Sequence, residues 1–558
     1  MRAFGVLLLA GFLSPWPASA QEPSPTAVFK DQVEVELIQL ELRVNDKKGR
    51  PVLDLERADV EVFVDGQKVE LAHFELQRPK PSPAKDAPSS PGTAAATVAA
   101  DDRTFWLALL VDDKSLDGPA SRRRVYDGLA ALLDAELPQD TRFLLLIEGA
   151  TPRIASSFTA DRASLRRILE FEAAQAPARP QDLLSPSRIF RAISDAWWRM
   201  EEGLHTSGCA DGMKEMLRHA DERAFQVKSR VDQSLATIDW LTNQLAGLPG
   251  QKAVLYAGHG LEQQPGIEAF RMIADICPDE EARDVSSYYT RYDRTTVLRN
   301  SVRLANARAV TLYTADANGL TGDDQVSLTG SIKARPSSFT QQLEALNRHS
   351  GLHQIARDTG GKAVLNANDL AQAFDHLAED LASFYSVGFY HPRRGDGELH
   401  DIGVRIAGRP YDVRYRAQFR DEPEAERIER ELLAGLLFGA HGNPLQAELA
   451  LAPAEKATRA TVRVPVGGLT LLPTEQGAHG LVRLVLAVKD AAGLWGSPRQ
   501  KQVEIDLAPD TSQARAETRE IFVDFDLAPG AYTVALAVHD EVGGITSTLE
   551  QKVAVAAN

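Results

Sequence analysis

Between residues 104 and 364 the chain repeats one pattern, a short continuously apolar run followed by a long stretch of helical periodicity. The runs are TFWLALLVD (104–112), TRFLLLIEG (141–149), QKAVLYAG (251–258) and ARAVTLYTAD (307–316), with a shorter GGKAVL behind them. Helical stretches such as RRRVYDGLAALLDAEL, DRASLRRILEFEAA and VDQSLATIDWLTNQLAGLPG lie between, and ANDLAQAFDHLAEDLASF closes the series. A strand apolar on both faces must be covered on both, and intervening helices let neighbouring strands run parallel. Residues 101–384 are therefore expected to form a doubly wound, Rossmann-like α/β domain. Residues 174–235 exceed a simple crossover and read as a helical insertion, in which Trp197 and Trp198 are expected to be core.

Strand-like segments flank this domain. Residues 31–78 alternate apolar and polar positions, with Asp65-Gly66 as a tight hairpin turn. Residues 79–100 form a Pro/Ala/Ser linker that cannot bury a core. Strands return over 385–419, a polar helical linker is expected over 420–436, and regularly spaced strands over 437–558 read as an Ig-like β-sandwich. Neither 31–78 nor 385–419 is large enough alone for two packed layers. They are expected to complete one β-sandwich with the α/β domain inserted between its halves. The strand ends VNDKKG, VKDAAG and VHDEVGG read as solvated turns, not calcium loops.

The first twenty residues carry Arg2, an apolar stretch from Ala3 to Leu13, and Ala18-Ser19-Ala20. This is the pattern of a signal peptide cut near Ala20, too short to span a bilayer. The mature chain is expected in the periplasm or outside the cell, and not as an integral membrane protein. Cys209 and Cys277 are the only cysteines, so in an oxidising compartment a disulfide is expected; no CxxC or Cys/His spacing points to zinc. A net charge of −16, with 78 acidic and 62 basic residues, argues against nucleic acid as a partner.

The strings NDKKGRPVLDLERADVEVFVDGQKVELAHFE, FWLALLVDD, LPGQKAVLYAGHGL, ARAVTLYTADANGL, IARDTGGKAV and YSVGFYHP follow one another over about residues 31–420. In that order they resemble the von Willebrand factor A (VWFA)-related family abundant in acidobacteria. The resemblance implies a von Willebrand factor A-type domain in an exported protein without known enzymatic chemistry. It names no ligand.

Metal-binding A domains carry Asp-x-Ser-x-Ser in a first loop, a threonine in a second and an aspartate in a third. Here Asp112 takes the first place, Lys114 and Leu116 the two hydroxyl places, and Gly258-His259 the third-loop Ser-Asp. An ammonium at Lys114 opposes a cation, so the adhesion-type metal site is expected to be degenerate and no cofactor to be required. Two alternatives keep a divalent cation. One shifts the frame to Asp113, Ser115 and Asp117; the other joins Asp112, Asp113 and His259 around a softer ion such as Mn²⁺ or Zn²⁺. Without an ion, the aspartates are expected to cap the loop and pair with Lys114. The second-loop threonine has only Thr206 as a candidate, by position.

No GxSxG, P-loop, HExxH or GxGxxG in strand–helix context appears, and Ser115 with His259 and an aspartate is the one conceivable triad. The expected function is non-catalytic protein–protein interaction or envelope scaffolding. An unidentified protein partner would meet the loops at 112–118, 149–153, 258–264 and 316–322, at the carboxyl ends of the strands. Metal-dependent adhesion is the alternative, and a hydrolase stands behind it.

Overall fold

In the computed structural model, residues 35–78, 104–175, 186–201, 208–277, 287–317, 337–507 and 517–555 are described, apart from positions 117, 139, 150, 288–289, 409, 440–441, 454–456, 475–476 and 493–494. The signal segment 1–20, the linker 79–100 and Thr206 lie outside them.

Four strands open the chain: β1 (Val35–Asn45), β2 (Val60–Val64), β3 (Gln67–Val69) and β4 (Leu71–Gln77). Next come β5 (Phe105–Val111), α1 (Pro119–Leu132), β6 (Thr141–Glu148), β7 (Pro152–Thr159), α2 (Arg162–Ala174), α3 (Pro186–Glu201) and α4 (Gly208–Leu245). The domain continues with β8 (Gln251–Gly258), α5 (Ile267–Ile276), α6 (Thr295–Ala307), β9 (Thr311–Asp316), α7 (Ser338–Asp358), β10 (Ala363–Val364) and α8 (Leu370–Ala382). Its sheet has the order β10-β9-β8-β5-β6-β7, and all neighbours but the last pair are parallel.

The central strand β5 shows why an unbroken apolar run was needed. Phe105, Leu107, Leu109 and Val111 face a layer made by α1, α2 and α8, whereas Trp106, Ala108 and Leu110 face α4, α6 and α7. All seven are buried, and burying each large side chain contributes about 1.5–3 kcal/mol. The antiparallel edge strand β7, of which only 152 and 153 fell in a segment expected as a loop, departs from the expected parallel sheet. Ala155 packs against the α1, α2 and α8 layer and Phe158 against the other, while Pro152 to Ile154 are exposed, as suits an edge strand.

The second helix of the insertion is continuous with the helical stretch VDQSLATIDWLTNQLAGLPG expected after it, so the boundary at 235 falls inside one helix. Helix α4 runs unbroken for 38 residues, or about 57 Å at 1.5 Å per residue. Its first half, around Met216 and Ala220, packs with Phe190 and Ile193 of α3 and with Phe270 and Ile273 of α5, forming a separate apolar cluster. Trp197 packs against that cluster. Its second half, from Val227 to Leu245, lies on the sheet. A disulfide joins Cys209 at the start of α4 to Cys277 just after α5, with Cα atoms 5.7 Å apart.

After the α/β domain come β11 (Phe384–Pro392), β12 (Leu399–Ile406), β13 (Asp412–Arg414) and β14 (Gln418–Arg420). They join the opening strands in two sheets, β13-β1-β11-β4 and β14-β12-β2-β3. Strand β1 pairs with β11 from Val35↔Pro392 to Leu42↔Tyr385, and β2 with β12 from Val60↔Ile406 to Val64↔Ile402. Both sheets contribute to one core that includes Leu40, Leu42, Val62, Val387, Phe389 and Phe419. The β2–β3 turn is Asp65-Gly66, with φ of 49° and 80°, the left-handed pair a two-residue hairpin requires.

The segment expected as a polar helical linker is a helix, α9 (Glu424–Phe438), but one buried on two sides. Ile428, Leu432 and Leu436, four residues apart and so on one face, pack against Val485, Ala487, Ala535 and Ala537. Ala434 and Phe438 pack into the sheet layer of the α/β domain. Gly247 meets α9 so closely that a Cβ there would lie 2.2 Å from the Arg430 carbonyl oxygen. The C-terminal strands are β15 (Glu448–Pro453), β16 (Thr458–Pro465), β17 (Leu472–Thr474), β18 (Gly477–Asp490), β19 (Arg499–Leu507), β20 (Thr518–Phe525), β21 (Gly530–Asp540) and β22 (Ile545–Val555). They form sheets β15-β16-β20 and β17-β18-β21-β22, with β19 beside β18, around a core containing Val462, Leu484, Phe525 and Leu536. Among the described residues no helix is long and apolar enough to cross a membrane.

Candidate functional site

Parallel register brings the strand ends together. Val111 lies beside Ile147 on one side and Ala257 on the other, and Gly258 lies beside Asp316. Asp112, Glu148, Gly258 and Asp316 therefore emerge side by side at the carboxyl edge of the sheet.

Their side chains do not converge on one point. The Asp112 carboxylate accepts hydrogen bonds from Ser234 Oγ at 3.0 Å and Tyr256 Oη at 2.7 Å. Burial, and then the neighbouring Asp112, push the Tyr256 phenol well above its ordinary range, so it stays protonated and donates. Asp113 points the other way and accepts from Arg122 Nε of α1 at 2.5 Å. The expected pairing of Lys114 with the aspartates is corrected here: its ammonium pairs with Glu148, both groups being buried. Ser115 Oγ donates to the Asp112 carbonyl oxygen at 2.9 Å and accepts from the His259 backbone N–H at 3.0 Å. Asp316 pairs with His349 at 2.7 Å, and Arg230 with Glu262 at 2.6 Å.

The frame-shifted set cannot be followed to its end, because Asp117 lies outside the described residues. Its first two members have internal partners, as above. The set Asp112, Asp113 and His259 is not assembled. Among the described residues two groups of His, Cys, Asp and Glu bring ligand atoms within 4.8 Å of one another, and neither contains any of these three. Burial, with Arg348, Arg230 and Arg223 close by, holds the His259 imidazole well below the ordinary histidine range. The Ser115 hydroxyl meets the backbone N–H of His259, so these contacts do not make the nucleophile–base pair of a triad. Gly258, in the third-loop serine place, faces the Tyr256 hydroxyl, which would lie 2.5 Å from a Cβ.

The edge is also roofed. Asp112, Asp113, Ser115, Leu116 and every residue from Gly258 to Glu262 are buried. Helix α4 supplies Ser234 and Arg230 from above, and on α7 the Arg348 carbonyl accepts from Leu261 N–H at 3.2 Å. Gly266 approaches α4 so closely that a Cβ would lie 2.7 Å from the Ala224 methyl. The expected docking loops at 112–118 and 258–264 are thus largely inaccessible, because the helices around the insertion cover them. Thr151, Pro152 and Arg153 remain exposed, and 318–322 lies outside the described residues.

Glu148 was missed in the sequence, although a carboxylate ending an apolar strand beside the strand that ends in Asp112 was a readable signal. Burial, and then Asp112 nearby, push its carboxyl up to about 7 from an ordinary 4.5. Between those values the folded chain holds a proton that the unfolded chain has released. Stability from this group is therefore complete below about pH 4.5 and falls as pH rises to about 7. Urea unfolding of the wild type against Glu148→Gln should show the wild type losing about 2–3 kcal/mol relative to the variant over that window. A flat difference would refute the burial of this carboxyl.

No protein-family model matches the chain, and no curated protein matches it. Solved structures with partial likeness include an aerotolerance-related membrane protein from Bacteroides fragilis, at 8% identity over 50% of this chain and 98% of that one, with a TM-score of 0.22. BatB from Bacteroides thetaiotaomicron gives 11%, 50%, 98% and 0.22 in the same order. The manganese-loaded TRAP protein of Plasmodium vivax gives 10%, 56%, 93% and 0.20. The α/β fold rests on the strand order and the two helix layers described above.

Proposed function

We propose that this is an exported, non-catalytic binding or scaffolding protein of the von Willebrand factor A type, whose sheet edge is closed and works without a metal ion. The observation that carries the reading is the Lys114–Glu148 pair, an internal cation beside the carboxylates that would otherwise attract one. Ser115 held by backbone groups supports a non-catalytic edge. Ala18-Ser19-Ala20 and the Cys209–Cys277 disulfide support export to an oxidising compartment. The shared core of the two four-stranded sheets supports a sandwich interrupted by the α/β domain, and the C-terminal pair of sheets supports an Ig-like second sandwich.

A protein partner then meets surfaces other than residues 112–116 and 258–262. The test uses the mature chain with envelope extract from its native source, cross-linked once with Mg²⁺ and once with EDTA. Equal capture in both, with no cross-link to those two segments, is expected. Capture that requires Mg²⁺ and disappears in Asp112→Ala would sink the reading and restore metal-dependent adhesion. Titration calorimetry with Mg²⁺ or Ca²⁺ should likewise give no binding heat.

A further inference from the structure

Far from the α/β sheet edge, three potential ligands meet across the two sheets of the flanking module. His391 lies near the end of β11 in one sheet, His400 near the start of β12 in the other, and Asp421 directly after β14. One ligand atom of each lies within 4.8 Å of the others. The imidazole centroids are 4.5 Å apart, and the Phe419 ring packs 5.0 Å from both.

Each residue is held as a ligand would be. His400 is 8% exposed, and its Nδ1 lies 2.8 Å from Asp65 Oδ2. An ionised carboxylate only accepts, so Nδ1 carries a proton and Nε2 is the ring nitrogen left to offer a lone pair to a metal. That Nε2 is buried and has no hydrogen-bond partner. Asp65 is itself fixed in the β2–β3 turn by the Asp401 backbone N–H at 2.9 Å. A carboxylate on the far nitrogen is the usual support of a metal-binding histidine. Asp421 is buried, and its oxygens accept from the backbone N–H groups of Arg394 at 2.7 Å and Gly395 at 3.0 Å. Each oxygen retains a second lone pair. His391 is half-buried, which leaves a way in from solvent.

We propose that His391, His400 and Asp421 form a Zn²⁺ site that ties the two sheets together, with Asp65 orienting His400. Two imidazoles and a carboxylate suit Zn²⁺ better than Mg²⁺ or Ca²⁺, and three protein ligands leave a fourth position open. Closing the ligands to tetrahedral spacing takes side-chain movement of about 1 Å. The second group of ligand-type residues, Glu424, His539 and Glu541, is less suited. Arg427 and Arg393 already flank Glu424, and Arg483 bonds Glu541.

The test is a Zn²⁺ titration of chelator-stripped mature chain against a chromophoric competitor, with Co²⁺ as a spectroscopic probe. One equivalent should bind, and Co²⁺ should give the intense visible bands of a tetrahedral site. His400→Ala should abolish both, and Asp65→Asn should weaken Zn²⁺ by about 10- to 100-fold. His391→Ala, at a half-buried position, gives the same test should His400→Ala fail to fold. No stoichiometric Zn²⁺, or one equivalent retained in His391→Ala/His400→Ala, would overturn the assignment. Mg²⁺ dependence at Asp112 is a separate result, so the two readings fail independently.

Discussion

Replacing Lys114 by methionine is expected to destabilise the protein by about 3–5 kcal/mol, because one half of a buried ion pair is removed while the other stays. Glu148 and Asp112 are both fully buried at the sheet edge, and Lys114 is the cation bonded to Glu148. Methionine keeps most of the side-chain volume, so the loss reports charge and not a cavity. Denaturant unfolding at pH 8 measures it. In a Glu148→Gln background the same substitution should cost much less, since a neutral amide tolerates burial without an ammonium. An equal cost in both backgrounds would mean that the pair is not what holds this edge.

The second large effect is expected from Cys209→Ser/Cys277→Ser. The bridge closes a loop of 68 residues, for which the chain-entropy model gives about 4 kcal/mol. The loss should concentrate in α3, α5 and the first half of α4, whose apolar cluster is separate from the sheet layers. Hydrogen exchange should show those helices losing protection while β5 and β8 keep theirs. Residues 258–262 should become reachable to added protease as the roof loosens. Unchanged exchange in α3 and α5 would show that packing alone holds the cap.

The α/β layers were legible because β5, β6 and β8 carry unbroken apolar runs and β9 is nearly so, which fixes coverage on both faces before any register is known. Strand β7 was not legible: Arg153, Ser156, Ser157 and Thr159 break the apolar run without giving a strict alternation. The burial of α9, though not its helicity, was missed for a related reason. Its glutamates and arginines dominate the composition, whereas Ile428, Leu432 and Leu436 make one apolar stripe, and Ala434 and Phe438 face a second partner that the stripe does not announce.

At the candidate site, the positions of Asp112, Lys114 and His259 followed from the order of motifs, and their partners did not. Lys114 finds Glu148, 34 residues away in sequence, and Asp112 finds Ser234 and Tyr256, which are 122 and 144 residues away. Side-chain destinations of that kind depend on which helix crosses the edge. That the insertion and the stretch after it form one helix, α4, which carries Arg230 and Ser234 over the edge, has no marker in a stretch that is helical throughout. His391, His400 and Asp421 escaped notice because no fixed spacing connects them; they meet only when two sheets pack.

The pairing of β1 with β11 also sets a timetable. Val35 must find Pro392, some 350 residues later, so at synthesis rates of about 5–20 residues per second β1 waits roughly 20–70 s for its partner. Over that interval the α/β domain between them can assemble from contacts within itself, while β1 to β4 hold unsatisfied strand edges. The last piece of the module to be made is therefore the one that ends this exposure. A pause or truncation just before residue 384 would leave a folded α/β domain carrying an unpaired sheet, which is a template for aggregation.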